Sequence, residues 1–383
     1  MKKSCVSIIV ALLLLFSLCL TACGGKTAGS PAPAASEAPA AAAAASSAPE
    51  APAAEPAQEA EAAAPAAEKT AEQNTESAAP VETAEGSDAA LPIRVMTLNG
   101  TTGFGMAGLI ADSSAGNAGQ NYSFTVETDA SNVTAALVSG SCDIAALPTN
   151  AASALYNKTG GGVQVLALNT RGVLYVVSDG AVPVEKFADL DGQTVFAPAQ
   201  NPSFIFGYLC QANNLTVNID NTYAQPAELN AAVAAGNVHL AVLPEPMVTV
   251  ALSQNNNLQI VLDLTEEWDR VAVPGSLVQG CVVVRTGFVN EHPEAVQAFL
   301  KDYEASVALL TDDPAAAAQK IEETGIFTKA AIAQKAIPHC NICFVTGAEM
   351  QAQLSAFLEI MFDAAPQSIG GAIPGPDFYC ILG

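Results

Sequence analysis

Positively charged residues are scarce in this chain of 383 residues. Lysine and arginine together number 14, against 38 aspartates and glutamates, so the formal net charge at pH 7 is −24. Proteins that bind nucleic acid draw much of their affinity from lysine and arginine contacts to phosphate groups. The composition therefore excludes nucleic acid as an expected partner.

The motifs of several enzyme classes are also missing. The chain has no Gly-x-Ser-x-Gly nucleophile elbow, no phosphate-loop lysine motif and no His-Glu-x-x-His zinc helix. The carboxylate pairs Glu266–Glu267 and Glu322–Glu323 lie in polar, helix-like segments, which is typical of solvated helix faces rather than of acid–base pairs. We therefore predict no catalytic residues and no cofactor.

Histidine is rare, and cysteine is spread thinly. The sequence His339-Cys340-Asn-Ile-Cys343 looks like a metal or redox fragment, but no second matched pair accompanies it. Six cysteines follow Cys23 over about 290 residues, which is not the density of a disulfide scaffold. We predict no metal site, and the spacing leaves open whether Cys340 and Cys343 pair.

The chain begins with the layout of an export signal. Lys2 and Lys3 precede an apolar run over residues 6–20, which is short for a membrane span. The closing residues Leu20-Thr-Ala-Cys23 resemble a bacterial lipobox. We predict that residues 1–22 are a lipoprotein signal peptide. A lipidated Cys23 would hold the protein on the outer face of the cytoplasmic membrane.

Residues 23–90 are built almost entirely from Ala, Pro, Glu, Ser and Thr. They show no apolar periodicity, and scattered prolines interrupt the alanine-rich pieces. We predict a disordered tether that lets the anchored domain reach a neighbouring membrane complex.

Residues 91–383 alternate strand-like and helix-like runs, which is typical of β-α-β units around a parallel sheet. A strand at 171–179 has no helix before it, which indicates that the chain leaves one sheet for another. The pattern starts again at Thr194. Gly280–Arg285 is expected to be the last strand, followed only by helices. The pattern therefore predicts a two-domain α/β protein.

A literal G-x-G-x-x-G motif, Gly103–Gly108, follows the first predicted strand, and Glu127 lies about 20 residues further on. This is the written form of the dinucleotide-binding motif. However, Asn99–Thr102 separate the strand from the first glycine, whereas the motif places that glycine at the strand end. We favour an interpretation in which the glycines let a small solute approach the free amides of a helix start.

The order of several further segments resembles one family of exported binding proteins. These segments are Leu137–Val177, Leu190–Phe204, Ala231–Leu252, Leu277–Leu300 and Pro366–Gly383. Together they resemble the ABC transporter substrate-binding lipoproteins of the SsuA/THI5-like (NMT1-like) family. The resemblance implies a periplasmic-binding-protein-like (type II) α/β fold, with two lobes joined by two crossover strands. Lobe 1 would comprise residues 91–174 and 281–383, and lobe 2 residues 175–280.

The same resemblance places ligand contacts on loops at the carboxyl ends of strands, where helix starts favour polar groups. The candidates are these loop residues and the only tryptophan: Gly103, Phe104, Gly105, Met106, Thr149, Asn150, Gln200, Asn201, Ser203, Glu245 and Trp268. Structural alternatives stay open, since the aromatic residues could pack in the core and Thr149, Asn201, Ser203 and Glu245 could serve their helix starts.

The resemblance implies that the protein captures a small molecule in the cleft between its lobes. The solute would be a sulfonate, nitrate or a pyrimidine or vitamin precursor, and a monomer would deliver it to an ABC permease. Two alternatives stay open: a THI5-like pyrimidine-forming or dinucleotide-dependent enzyme, and an exported sensor or co-receptor. The pyrimidine-forming relatives carry a cysteine-rich motif that Cys340 and Cys343 alone do not reproduce.

Overall fold

The computed structural model describes residues 92–382, which contain two β-sheets flanked by helices. We call the part built on the first sheet lobe 1 and the part built on the second sheet lobe 2. The predictions for the signal peptide, for lipidation of Cys23 and for the tether lie outside the described residues.

Lobe 1 contains a six-stranded sheet and lobe 2 a five-stranded sheet. The first sheet has the spatial order β11 (Ile342–Val345), β4 (Val163–Arg171), β10 (Val278–Arg285), β3 (Ile144–Pro148), β1 (Ile93–Leu98) and β2 (Tyr122–Glu127). The second has the order β7 (Asn218–Asp220), β6 (Thr194–Phe196), β8 (Leu240–Pro244), β5 (Leu174–Ser178) and β9 (Gln259–Asp263).

Helices connect the strands and cover the sheets. They are α1 (Thr101–Phe104), α2 (Ala107–Ser114), α3 (Ala130–Ser139), α4 (Thr149–Thr159), α5 (Asn201–Ala212), α6 (Pro226–Ala234), α7 (Met247–Gln254), α8 (Leu264–Val271), α9 (Thr286–Glu291), α10 (Pro293–Asp312), α11 (Pro314–Glu323), α12 (Ala330–Ala336) and α13 (Gly347–Ala364). Four short 3₁₀ turns lie at Phe187–Leu190, Ile337–His339, Pro366–Ile369 and Pro376–Phe378. Within residues 92–382, no helix has both the length and the apolar character of a membrane span.

Local chemistry sets the ends of these helices. Before α3, the Asp129 carboxylate accepts a hydrogen bond from Ser131 N at 2.8 Å, which caps the helix start. The same helix ends where Gly140 adopts φ 74°, a left-handed conformation that glycine adopts without steric cost.

Each sheet receives one antiparallel strand from chain that arrives from the other lobe. β10 runs antiparallel to both β3 and β4, and β5 runs antiparallel to both β8 and β9. The pairs β1–β2, β1–β3, β6–β7 and β6–β8 are parallel. The carboxyl ends of the parallel strands in each sheet therefore lie at one edge, where ligands of open α/β sheets bind.

One expectation from the sequence is wrong, because a strand follows Gly280–Arg285. β11 pairs antiparallel with β4, with Ile342 opposite Thr170. Its sequence, Ile-Cys-Phe-Val, spans only four residues between helical segments. A strand this short has too few residues for its alternating pattern to stand out.

The two connections between the lobes run side by side. The chain leaves lobe 1 through Gly172 and Val173, and it returns through residues 272–277 after α8. A Cβ atom on Gly172 would lie 2.2 Å from Thr265 Oγ1 and 2.6 Å from Leu277 Cδ2. Only a glycine therefore lets the outgoing segment pass so close to the returning one.

Helix α13 packs against both lobes. The ring centroid of Phe357, on α13, lies 5.9 Å from that of Trp268, on α8, and Trp268 lies 4.9 Å from Tyr208, on α5. The same continuous apolar cluster includes Val283 of the first sheet and Val242 of the second. The lobes are therefore joined by packed side chains as well as by the two chain segments.

A buried aspartate ties together three parts of lobe 1. Asp143 precedes β3, and its side chain is 3% exposed. Its Oδ1 atom lies 2.6 Å from Arg94 Nη2, on β1, and 2.9 Å from Arg285 Nη2, at the end of β10. Burial raises the pKa of Asp143, but the hydrogen bonds from Arg94 and Arg285 outweigh burial and leave this pKa below its ordinary value.

We predict that Asp143→Asn lowers the free energy of unfolding by about 2–3 kcal/mol, because two guanidinium groups lose a charged acceptor. Urea unfolding of the purified chain measures the change. Asp112→Asn is the matched control. Asp112 also pairs with a cation, with 2.9 Å to Lys320 Nζ, but its side chain is 53% exposed, so we expect a change of about 0–1 kcal/mol.

The sign of the Asp143 contribution also predicts its pH dependence. A carboxylate with a lowered folded-state pKa stabilises the fold above the unfolded-state pKa of about 3.9, and this stabilisation is lost as the pH falls through the lower folded-state value. The difference in the free energy of unfolding between the wild-type chain and Asp143→Asn should therefore shrink as the pH falls from about 6 to about 3. A constant difference over that range would contradict the assigned ion pairs.

Candidate ligand-binding site

Helices from both lobes begin at one cavity. In lobe 1, α4 starts directly after β3. In lobe 2, four residues separate the end of β6 from the start of α5. Asn150 on α4, together with Gln200 and Asn201 at the start of α5, lines a cavity of about 450 Å³. Three of the candidate residues are thus brought together, although they lie in different lobes.

The rest of the cavity wall comes from residues that the sequence analysis did not select. These are Phe204 on α5 and the segment after α13, with Ala365, Pro366, Gln367 and Ser368. Asn150 Nδ2 donates to Ser368 O at 3.4 Å, across 218 positions of sequence. Phe204 lies one helical turn after Gln200 and could have been found from helical spacing. No local pattern connects the C-terminal segment to Asn150.

The hydroxyl groups at the two helix starts are already engaged. Thr149 is fully buried, and its Oγ1 donates to Val278 O at 2.8 Å. Ser203 Oγ donates to Pro198 O at 2.7 Å and accepts from Asn221 Nδ2 at 2.6 Å. Thr149 thereby fixes the start of α4 to the first residue of the returning strand β10, and Ser203 fixes the loop before α5.

The glycine-rich stretch packs under another helix. Phe104 and Met106 are fully buried in the core of lobe 1, and Phe104 forms an edge contact with Phe327 at 6.3 Å between ring centroids. A Cβ atom on Gly103 would lie 2.1 Å from Leu98 O, and one on Gly105 would lie 2.7 Å from Tyr303 Oη on α10. Gly103 therefore lets α1 lie against the end of β1, Gly105 lets the chain just after α1 approach α10, and the two large side chains line the core rather than the cavity.

Trp268 also lies in the core. It is fully buried, contacts Tyr208 and Phe357, and donates from Nε1 to Ser276 Oγ at 2.8 Å. The structure therefore places this side chain between α5, α8 and α13 and not on the 450 Å³ cavity.

Glu245 is buried at the end of β8, where its side chain is held by the first turn of α7. Its Oε2 accepts from Thr249 N at 3.1 Å and its Oε1 accepts from Thr249 Oγ1 at 2.9 Å. Burial raises the pKa of Glu245 to about 7, against the opposing effect of these hydrogen bonds. Glu245 therefore caps a helix, and it does not line the cavity that Asn150, Gln200 and Asn201 share.

Residues 339–343 and their neighbours lie near the junction of the lobes. Arg171 forms an ion pair with Glu349 on α13, with 3.6 Å between Nη2 and Oε1. Cys340 and Cys343 are both free thiols in the structure. Tyr175 Oη, in lobe 2, donates to His339 O in lobe 1 at 2.8 Å. Among residues 92–382, no group of three or more His, Cys, Asp or Glu side chains is arranged to hold a metal ion.

Comparison with protein families identifies the chain. A profile of the family described as NMT1/THI5 like matches residues 118–317, which is more than half of the sequence. The chain belongs to the NMT1/THI5-like family. No curated protein matches it by sequence.

Solved structures show the same fold. The NMT1/THI5-like chain is 25% identical to an ABC transporter protein from Parabacteroides distasonis, with a TM-score of 0.65 over 76% of this chain and 98% of that one. It is 14% identical to the periplasmic aliphatic sulphonate binding protein SsuA from Escherichia coli, with a TM-score of 0.59 over 76% and 94% of the two chains. The predicted two-lobed periplasmic-binding-protein fold is confirmed.

A third solved structure has the same fold. The ligand-binding component of an ABC-type import system from Staphylococcus aureus is 15% identical, with a TM-score of 0.57 over 76% of this chain and 97% of that one. At this level of identity the similarity shows the shared fold.

The packing role of the glycines in this NMT1/THI5-like chain predicts the effect of a single methyl group. Gly103→Ala should lower the free energy of unfolding by about 1–3 kcal/mol without any ligand present, because the new Cβ meets backbone atom Leu98 O. Gly207→Ala, in α5, is the control. Its nearest neighbour lies at 3.6 Å, so better helix propensity should stabilise the chain by about 0.5–1 kcal/mol. An unchanged unfolding midpoint for Gly103→Ala would contradict the assigned packing.

Proposed function

We propose that this chain is the extracytoplasmic solute-binding component of an ABC importer. The observation that carries the proposal is the cavity shared by Asn150 of lobe 1 and by Gln200 and Asn201 of lobe 2. The similar protein from Parabacteroides distasonis is described as an ABC transporter, which supports this role. The chain would capture a small molecule and deliver it to a permease, acting as a monomer and catalysing no reaction.

The two-lobed architecture supports a closure mechanism for capture. A solute that contacts Asn150 and Asn201 at once is bound most tightly when the lobes are together, so binding shifts the population toward the closed form. The adjacent segments at Gly172 and 272–277 are the chain connections about which the lobes would rotate. A permease then distinguishes the loaded protein by its shape.

The sequence of the N-terminus supports an anchored location for this function. We propose that Cys23 is lipidated and that residues 23–90 tether the binding domain to the outer face of the cytoplasmic membrane. Labelling cells with a radioactive fatty acid tests this. The wild-type chain should incorporate the label and Cys23→Ser should not. Equal labelling of both would contradict an anchor at Cys23.

Solute capture predicts a bound molecule and a change of shape. Mass spectrometry of the natively purified chain should identify a co-purified small molecule. Adding that molecule to chain that has been unfolded, stripped and refolded should raise Tm and reduce the radius of gyration in X-ray scattering. Asn201→Ala should weaken binding by about tenfold or more, since a cavity-lining amide is lost.

Asn213→Ala is the control for that variant. Asn213 lies at the opposite end of α5, is exposed, and donates only to Leu209 O at 2.9 Å. Its substitution should leave the affinity unchanged. A chain that carries no small molecule and shows no compaction with any solute tested would contradict the proposed role.

A further inference from the structure

The chemistry of the cavity wall narrows the class of solute, an inference that rests on the proposed function. Of the eight described residues that line the cavity, four carry a primary carboxamide: Asn150, Gln200, Asn201 and Gln367. None of these eight described residues carries an ionisable side chain. A carboxamide both donates and accepts hydrogen bonds, so the wall offers matched donors and acceptors with no net charge.

The hydroxyl groups at the two helix starts, and that of Ser368 in the cavity wall, donate to backbone carbonyls and are not free to bind an oxyanion. Thr149 Oγ1 donates to Val278 O, and Ser203 Oγ donates to Pro198 O. Pro202, near the start of α5, has no backbone N–H to offer. The positive dipole ends of α4 and α5 remain, but each equals only about half of an elementary charge. The site therefore has fewer donors for an anion than its two helix starts suggest.

In two of the carboxamides, the oxygen accepts no hydrogen bond within the described part of the chain. The Oδ1 atoms of Asn150 and Asn201 are shielded from solvent and accept no hydrogen bond from any described residue. An unpaired buried amide oxygen costs about 1–3 kcal/mol. The terminal torsion of asparagine is broad, so rotation can turn either amide toward the cavity, where a solute N–H or O–H would satisfy the oxygen.

The shape of the cavity fits a small molecule with an apolar body. Its volume of about 450 Å³ lies within the usual range of about 300–1,000 Å³ for small-molecule sites. Phe204 and Pro366 provide ring surfaces beside the amides. An ion bound here would have no side chain of opposite charge beside it among the described lining residues. A neutral polar group needs only hydrogen bonds, which the carboxamides provide.

We propose that the cavity binds an uncharged solute that has both hydrogen-bond donors and acceptors, of the amide, urea or lactam type. Of the solutes that the sequence resemblance suggested, this class excludes the sulfonates and nitrate and leaves the pyrimidine or vitamin precursor. Recognition would pair each solute N–H with a carboxamide oxygen, and each solute carbonyl with a carboxamide N–H.

Three probes with the same ring separate charge from shape. Nicotinamide, nicotinate and pyridine-3-sulfonate should be titrated into the stripped, refolded chain and followed by Tm. Nicotinamide is expected to raise Tm at concentrations where the two anions do not. A shift with either anion that equals or exceeds the shift with nicotinamide would overturn the proposal. If none of the three binds, the charge of the co-purified solute decides, since a neutral solute supports the proposal and a charged one overturns it.

Isosteric charge variants provide a second readout on the chain itself. Asn150→Asp and Asn201→Asp keep the side-chain volume but remove donors and add a negative charge. Each should weaken binding of the co-purified solute or of nicotinamide by about tenfold or more. Gln211→Glu, an exposed change on the same helix α5, is the control and should have no effect. Tighter binding to the aspartate variants would indicate a cationic solute and overturn the proposal.

These outcomes are distinct from a failure of the proposed function itself. If the class is wrong, an anionic or cationic solute still binds and compacts the chain. If the role is wrong, nothing co-purifies and no probe changes Tm or the radius of gyration, in which case both proposals fail together.

Discussion

The central constraint on this fold is that the first sheet is completed only by chain returning from lobe 2. β10 lies between β3 and β4 and hydrogen-bonds to both, so the first sheet is divided until the chain returns from lobe 2. β5 occupies the corresponding place between β8 and β9. The strands of the first sheet therefore come from two separate stretches of sequence, and the pairing of β10 carries the loop-closure cost of a long-range contact, whereas the strands of the second sheet all lie within residues 174–263.

The same constraint links the candidate site to the connection between the lobes. Thr149, at the start of α4, donates to the carbonyl of Val278, the first residue of β10. Gly172 passes beside Leu277 just before that strand. The amide at position 150 is thus held one residue from an anchor on the returning segment. This buried hydrogen bond ties one side of the cavity to the start of the returning strand.

The sequence predicts those features that depend on local pattern. The first predicted strand, which ends before Asn99, is Ile93–Leu98 in the structure, because its alternation of apolar and polar residues is a local signal of a half-buried strand. Asn150, Gln200 and Asn201 were selected because loops after parallel strands meet at one edge, and all three line the cavity. The antiparallel insertion of β10 does not disturb this rule, since it leaves the parallel strands pointing the same way.

Other features depend on contacts with residues far away in the sequence and could not be predicted. Phe104 and Met106 follow a strand as ligand-binding residues do, but α10, which begins about 190 positions later, supplies Tyr303 and Val307 to cover that stretch. Glu245 has the position of a ligand residue, yet Thr249 one turn further on takes both of its oxygens. The segment 365–368 reaches the cavity only because α13 spans both lobes.

The position of Trp268 has a practical consequence. The chain contains one tryptophan, and its indole lies in the apolar contact that joins α8 and α5 of lobe 2 to α13. Its environment is set by Tyr208 on α5, Phe357 on α13 and the hydroxyl of Ser276 in the returning connection. The tryptophan fluorescence of the protein therefore comes from a single site, where α8 and α5 of lobe 2 meet α13.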